Sequence, residues 1–250
     1  MDRSSMIGIL LGVAVVMGGH LFEGGKVTAI FQMTAAVIVI GGTAGATLLS
    51  FPLSDLLKAA ASLRNIFLAE TSDPEVYMKD IIRYSKIARR HGLIALEPEI
   101  SKINDYFLRK GMRLVVDGMG PKIVKETLQQ ENITYEEKQR RIAKVFETAG
   151  GFAPPIGIVG ALLGLIQVMQ NLSDRSKLAS GIAVALVATI YGVGSANLIL
   201  LPISKKLIHI LNNTLTVREM VIEGVAGIQS GLNPHYLEEK LRAFLEGDKG

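Results

Sequence analysis

Four long stretches of the chain contain no Asp, Glu, Lys or Arg, and the charged residues are concentrated in the segments between and after them. The stretches are Ser4–Phe22, Val27–Ser54, Thr148–Ser173 and Leu178–Ser204. A helix that crosses a membrane needs about 20 mostly apolar residues, and helices of soluble proteins are usually shorter than these stretches. The pattern therefore predicts four transmembrane helices. We expect the first to be retained rather than cleaved as a signal peptide, because its start is only weakly basic and another apolar stretch follows closely.

The remaining segments show apolar residues at helical spacing, and no stretch alternates as a strand would. Asp73 and Pro74 are typical of a helix start, Gly92 of a helix end, and the GLNP sequence at Gly231–Pro234 of a stop. The predicted helices are Leu53–Leu68, Asp73–Ile87, Ile94–Leu108, Pro121–Phe146, Lys205–Ile228 and His235–Leu245, with breaks around Gly111 and Gly118–Gly120. We expect the helix that begins at Pro121 to continue directly into the third apolar stretch.

The fold class is therefore an all-α membrane protein with four transmembrane helices, a helical cytoplasmic domain between the second and third, and a helical C-terminal tail. The predicted domains are residues 1–50 (two transmembrane helices and a short periplasmic turn), 51–147 (cytoplasmic domain), 148–204 (two transmembrane helices) and 205–250 (cytoplasmic tail). Basic residues flank the apolar stretches on the side of the large polar segment, as Lys58, Arg64, Arg140, Lys144 and Lys205 show. The positive-inside rule makes that side cytoplasmic, with both termini.

Composition and motifs argue against a nucleic-acid-binding protein and a soluble enzyme. The sequence pI near 9.2 follows from the basic cytoplasmic flanks, so it does not call for nucleic acid. The chain has no Cys, its four His are scattered, and it contains no phosphate-binding loop or nucleophile motif. We expect no enzymatic activity, cofactor or metal site.

The apolar stretches offer no carboxylate, although ionisable groups inside membranes mark ion paths. Either the chain conducts nothing, or a partner supplies the missing carboxylate. Small and hydroxyl residues recur on one face of the fourth stretch: Ala185, Ala188, Thr189, Gly192, Ser195 and Ala196. Such a face permits close helix packing. It serves either ordinary packing within the chain or a pore-facing contact with a partner helix, with Thr189 as a polar oxygen at membrane depth.

Prolines lie at the cytoplasmic ends of the third and fourth stretches, at Pro154, Pro155 and Pro202. A proline has no N–H and disturbs the carbonyl four residues earlier. Pro154 and Pro155 either begin a helix, where proline is well tolerated, or bend the junction between a cytoplasmic helix and the third span. Helix breaks at the cytoplasmic ends of both stretches would suit a protein that transmits motion.

Several motifs resemble the A subunit of the bacterial flagellar motor stator, the MotA family, within the MotA/TolQ/ExbB group. The similarity covers essentially the whole chain. It is carried by MDRSSMIGILLG, LFEGG (Leu21–Gly25), APPIGIVGALLGLI (Ala153–Ile166), ASGIAVALVATIYGVGSANLILLP (Ala179–Pro202) and GLNPHYLEEKL (Gly231–Leu241).

The resemblance implies a multi-pass protein of the bacterial inner membrane that converts ion flow into torque on the rotor. It implies a homo-pentamer around a dimer of B subunits, each with a membrane aspartate that binds the ion. The family's two functional prolines correspond to Pro154 and Pro202, and its hydroxyl facing the aspartate corresponds to Thr189. Its residues that contact the rotor switch complex correspond to Arg89 and Glu97. Arg90 is the adjacent alternative to Arg89 for the rotor contact. Without the resemblance, the ordinary explanation for these charged residues is a solvated helix face.

The driving ion is predicted from the third stretch. Sodium-type relatives resemble this chain but carry a Thr in a GTLxGL-like stretch, where this chain has GALLGL and Ala161. Na⁺ needs several oxygen ligands, whereas a proton needs only the carboxylate and a hydrogen-bonded path. Ala161 therefore favours a proton. The alternatives are a sodium-driven stator, a TolQ/ExbB-like energiser and a membrane scaffold that transports nothing.

Overall fold

The computed structural model describes residues 3–68 and 73–246, and within them it contains helices and no strand. The helices are α1 (Arg3–Phe22), α2 (Val27–Ile30), α3 (Met33–Ala36), α4 (Gly42–Ser50), α5 (Leu53–Leu68), α6 (Pro74–His91), α7 (Glu97–Ile100), α8 (Tyr106–Val116), α9 (Pro121–Gln170), α10 (Arg175–Ser195), α11 (Leu201–Gln229) and α12 (Pro234–Glu246). A 3₁₀ turn covers Leu93–Leu96, and π-helical stretches at Val37–Gly41 and Ala196–Leu200 join α3 to α4 and α10 to α11.

Among the described residues, three helical stretches are long and apolar enough to cross a membrane: Met33–Ser50, Pro121–Gln170 and Arg175–Gln229. Residues Leu10–Phe22 of α1 form a shorter apolar helical stretch. The all-helical prediction is thus confirmed for the described residues, while the count of four spans stays a prediction. Large apolar side chains face outward along these helices. Leu49 of α4 is 91% exposed, and Leu162 of α9 and Leu186 of α10 are also exposed.

The chain divides into two compact units. The first contains the described residues within Met1–Glu70 together with Gln139–Ile208, and the second contains the described residues of Thr71–Lys138 and His209–Gly250. This division follows internal contacts. The predicted domain boundaries, which follow membrane position, stay predictions.

The second of these units is built around an apolar core from α6, α8, α9, α11 and α12. Tyr84, Phe107, Met112, Leu128 and Met220 are among its fully buried side chains. Asp73 caps α6 by accepting a hydrogen bond of 2.9 Å from the Glu75 N–H, and Gly92 ends the helix with a φ of 85°. The predicted start and end signals of this helix are confirmed.

Two helix boundaries of the sequence analysis are wrong. The expected helix Ile94–Leu108 is interrupted between α7 and α8, because the Asp105 carboxylate accepts a hydrogen bond from the Leu108 N–H and thereby starts a new helix. Gly111 is no break but lies buried inside α8. A Cβ there would lie 3.1 Å from Leu128 and 3.2 Å from Val225, so the glycine allows close helix packing.

The long helix of the second apolar stretch also begins later than predicted. Val27–Ile30 forms a separate short turn, Phe31 and Gln32 are extended, and the long helical stretch starts at Met33. The predicted continuity of the third stretch is confirmed, since α9 runs from Pro121 to Gln170 without interruption.

A partly buried carboxylate links three helices of the second unit. Glu223 of α11 accepts hydrogen bonds from Lys125 of α9 and, at 2.5 Å, from Lys240 of α12. Burial of this carboxylate raises its pKa, but the two ammonium groups outweigh that effect and leave the pKa below its usual range.

We therefore expect Glu223→Gln to lower the free energy of unfolding by about 1–3 kcal/mol at neutral pH, because two charged hydrogen bonds are lost. A carboxylate with a depressed pKa contributes stability above its unfolded pKa of about 4.3 and loses it as the pH falls through the folded pKa. The variant should therefore lose less stability than the wild type between about pH 5 and 3.

The measurement is thermal unfolding of the purified full chain across this pH range. Glu126→Gln is the control, because Glu126 pairs with Lys122 in an exposed bridge of 3.9 Å, which is worth less than about 1 kcal/mol. Equal losses in the two variants at neutral pH would contradict the assignment.

Candidate functional site

The helices α9 and α10 pack with their backbones in direct contact, and glycines make this possible. A Cβ at Gly157 would lie 2.9 Å from the Ala188 carbonyl oxygen, and one at Gly192 would lie 2.6 Å from the Ala153 carbonyl oxygen. Further along, a Cβ at Gly164 would lie 2.7 Å from the Gly181 carbonyl oxygen. Apolar side chains supply little driving force for association inside a bilayer, so close van der Waals packing of this kind is what holds such helices together.

Most of the small-residue face of α10 is used within the chain. Ala185, Ala188, Gly192 and Ala196 are buried. Of the two functions considered for this face, ordinary packing within the chain is thus correct for these four residues. Thr189 differs, because it is exposed.

The Thr189 hydroxyl donates a hydrogen bond of 3.3 Å to the Ala185 carbonyl of its own helix. The hydroxyl oxygen can still accept a hydrogen bond. Ala161 on α9 is half-buried. Each residue directly follows one member of a packed pair, since a Cβ at Gly160 would lie 2.8 Å from the Ala188 Cβ. The two predicted ion-path positions therefore belong to neighbouring parts of the α9–α10 pair.

Pro154 and Pro155 lie inside α9, not at its start. The interpretation that they begin a helix is therefore wrong. The helix continues through both, although the Gly150 and Gly151 carbonyls lose their usual donors. Whether they act as a bend remains a prediction.

Pro202 is the second residue of α11 and follows the π-helical stretch Ala196–Leu200. Ser195 and Asn197 donate hydrogen bonds back to the Gly192 and Val193 carbonyls around the start of this stretch. A π stretch next to a proline marks an irregularity of the helix, and such irregularities occur frequently at functional sites. This part of the chain is therefore irregular next to Pro202, one of the two prolines for which the sequence analysis predicts a coupling role.

Tyr191 is a polar residue that the sequence analysis missed. Its hydroxyl donates a hydrogen bond of 2.6 Å to the Ile30 carbonyl and accepts one of 3.4 Å from the Gln32 N–H. It thus satisfies both sides of the helix break at Phe31–Gln32. An unpaired backbone group is expensive in a membrane, so a hydroxyl at this position makes the break tolerable. The only signal in the sequence was a lone Tyr in an apolar stretch.

Arg89 and Glu97 lie on either side of the turn at Gly92. Arg89 is in the last turn of α6 and Glu97 is the first residue of α7, and both side chains are exposed. Within the described residues, neither forms an ion pair, and the same is true of the exposed Arg90. The arrangement leaves a cation and an anion free for an external partner.

The packing of α9 on α10 gives a sharp test. Gly192→Ala should lower the free energy of unfolding by about 1–3 kcal/mol, because the new methyl group overlaps the Ala153 carbonyl. Gly194→Ala is the matched control on the same helix, since a Cβ there meets nothing within 4 Å. It should be neutral or stabilising by up to about 1 kcal/mol, because alanine is the better helix former. Thermal unfolding of each purified variant in detergent is the measurement, and equal effects of both changes would contradict the close packing.

Comparison with known proteins places the chain. The family model described as "MotA/TolQ/ExbB proton channel family" matches residues 99–220, and the one described as "Motility protein A N-terminal" matches residues 6–91. Motility protein A of Borreliella burgdorferi is 34% identical over 245 residues, which is 98% of this chain and 94% of that protein.

Two solved structures are also similar. The structure of C. jejuni MotAB matches with a TM-score of 0.92 at 29% identity, covering 98% of this chain and 96% of the other. The flagellar MotAB stator complex from Bacillus subtilis matches with a TM-score of 0.90 at 30% identity, covering 96% and 94%. The chain belongs to the MotA/TolQ/ExbB proton channel family, and its apolar helices make it a multi-pass membrane protein.

Proposed function

We propose that this chain is the A subunit of a flagellar motor stator, which forms an ion channel with a B subunit and converts ion flow into torque. The observation that carries the proposal is the tight packing of α9 on α10 within the apolar stretches 148–173 and 178–204, which contain no carboxylate, with Thr189 exposed. An ion path along such a surface needs a carboxylate from another chain. A partner helix with a membrane aspartate supplies it.

The proposal extends to assembly and topology. The chain has four transmembrane helices in the inner membrane, with α1 as the first and both termini cytoplasmic. It forms a homo-pentamer around a dimer of B subunits. The outward-facing apolar residues of α9 and α10, such as Leu162, Leu163 and Leu186, support this assembly, because they suit lipid or apolar partner helices.

The site residues take the following roles. Thr189 and Ala161 line the ion path, where the Thr189 oxygen accepts a hydrogen bond from the protonated aspartate or from water. Pro154 and Pro202 couple ion passage to movement of the A subunit, since each removes a backbone hydrogen bond and so eases a change of helix geometry. Arg89 and Glu97 bind charged residues of the rotor switch complex. The match to the Motility protein A N-terminal model favours a stator over a TolQ/ExbB-like energiser.

The driving ion is a proton, because Ala161 presents a methyl group where a sodium site would need another oxygen ligand. Cells that rely on this stator should rotate at the same speed across sodium concentrations at fixed pH, and they should stop when a protonophore is added. Tethered-cell rotation measures this. Rotation that requires sodium and survives the protonophore would show that this assignment of Ala161 is wrong.

The rotor contact is electrostatic. Exposed ion pairs are each worth about 0–1 kcal/mol, so neutralising Arg89 or Glu97 alone should reduce swimming without abolishing it. Arg89→Glu combined with Glu97→Lys should impair swimming more strongly, and complementary changes on the rotor should restore part of it.

Swimming in soft agar is measured alongside the amount of stator in the membrane. Arg113→Glu combined with Glu137→Lys is the control, because it makes the same charge changes at two exposed positions elsewhere. Normal swimming of the Arg89/Glu97 double variant at normal membrane levels would refute the rotor assignment.

A further inference from the structure

A basic groove of about 430 Å³ lies along α6 in the second unit, beside the proposed rotor contact at Arg89. Its walls carry Lys79, Arg83, Lys86, Arg90 and His91 from α6 and Glu238 from α12, and Met78, Ile82 and Ile87 form its apolar part. Four Lys or Arg side chains thus face a single carboxylate. The volume falls within the range of small-molecule sites.

The cations follow one face of one helix. Lys79, Arg83, Lys86 and Arg90 are three or four residues apart, so they are neighbours along α6. Like charges at this spacing destabilise a helix by a few tenths of a kcal/mol per pair. The helix dipole favours cations only in the last turn, so it accounts for Arg90 and not for Lys79, Arg83 or Lys86.

Part of this charge is compensated within the chain, because carboxylates outside the groove wall pair with two of the four cations. Arg83 is engaged by Asp80 at 3.3 Å, by Glu99 at 4.0 Å and by the Tyr84 hydroxyl at 2.9 Å. Lys79 has a loose, exposed contact of 3.8 Å with Glu75.

The one carboxylate on the groove wall, Glu238, accepts a hydrogen bond of 2.9 Å from Arg242, and its charge also interacts with Lys86. Within the described residues, Lys86, Arg90 and His91 form no ion pair.

The spacing of the cations indicates the size of the ligand. Eleven residues of α-helix at about 1.5 Å each separate Lys79 from Arg90, a distance of about 16 Å. A single inorganic anion reaches only neighbouring side chains, whereas an elongated anion reaches all four. Charged oxygens would meet the Lys and Arg side chains, and the Met78, Ile82 and Ile87 side chains would contact an apolar or aromatic part.

We propose that this groove on α6 binds a phosphorylated small molecule of nucleotide size. The small size of the groove favours this over an acidic protein segment, because protein interfaces usually need more than about 1,000 Å² of buried surface. Since Arg90 and His91 directly follow Arg89, a bound ligand would sit next to the proposed rotor contact and would change the charge that the rotor meets.

The test is isothermal titration of the detergent-purified complex of this chain with its B subunit, using ADP and, separately, adenosine. ADP should bind with an affinity that falls as salt is added, and adenosine should bind at least about tenfold more weakly. Lys79→Glu combined with Lys86→Glu should weaken ADP binding by about tenfold or more, and Lys79→Arg with Lys86→Arg should retain it. This pair leaves Arg89, Arg90 and Glu97 intact, so binding is tested separately from the rotor contact.

Arg113→Glu combined with Lys138→Glu is the control, because it makes the same charge change at two exposed positions outside the groove. Absence of ADP binding, or equal ADP binding by the groove and control variants, would overturn the proposal. Binding of an acidic peptide without any binding of ADP would overturn it in favour of a protein partner.

A phosphate group can also come from a lipid. Repeating the titration in nanodiscs of phosphatidylcholine with and without phosphatidylglycerol separates the two sources. Unchanged ADP affinity identifies a soluble ligand, and weaker ADP affinity in the anionic discs identifies a headgroup. Both results keep the site.

Discussion

The exclusion of water from the bilayer governs this structure, because it forbids both unpaired backbone groups and isolated charges. The apolar stretches obey the second rule by containing no Asp, Glu, Lys or Arg. They satisfy their backbone groups even where the helices are irregular. The Tyr191 hydroxyl satisfies the backbone on both sides of the break at Phe31–Gln32, and a π stretch precedes Pro202. Of these two irregular parts, the π stretch lies next to a proline for which a role in motion is proposed.

The same constraint explains why α9 and α10 pack tightly against each other and yet leave a large apolar surface exposed. Their glycines bring the two backbones into contact, so the pair is held by packing on one side. The remaining surface of the pair exposes large apolar residues such as Leu162 and Leu186, together with Thr189. The apolar stretches of this pair offer a firm surface to other helices but supply no charge of their own. The pair is therefore suited to guiding an ion that another chain binds.

Local signals made some elements predictable and left others hidden. The Asp73 and Pro74 start, the Gly92 end and the helix Leu53–Leu68 depend on short-range patterns, so they could be predicted correctly. The break before Met33 depends on a hydrogen bond between residues 161 positions apart, and Gly111 depends on two partners distant in sequence. Such tertiary contacts produce no periodic pattern in the sequence, so they could not be predicted from it. The basic groove could be predicted from the sequence only as a charged helix face, because one of its walls comes from the distant helix α12.

The central claim is that the ion path is completed by a carboxylate from the B subunit. Proton uptake by vesicles tests it most directly, with this chain reconstituted alone and together with its B subunit, under the same membrane potential. The account predicts uptake by the complex and background rates for the chain alone, and loss of uptake when the membrane aspartate of the B subunit is changed to asparagine. Uptake by the chain alone at a rate similar to that of the complex would contradict it.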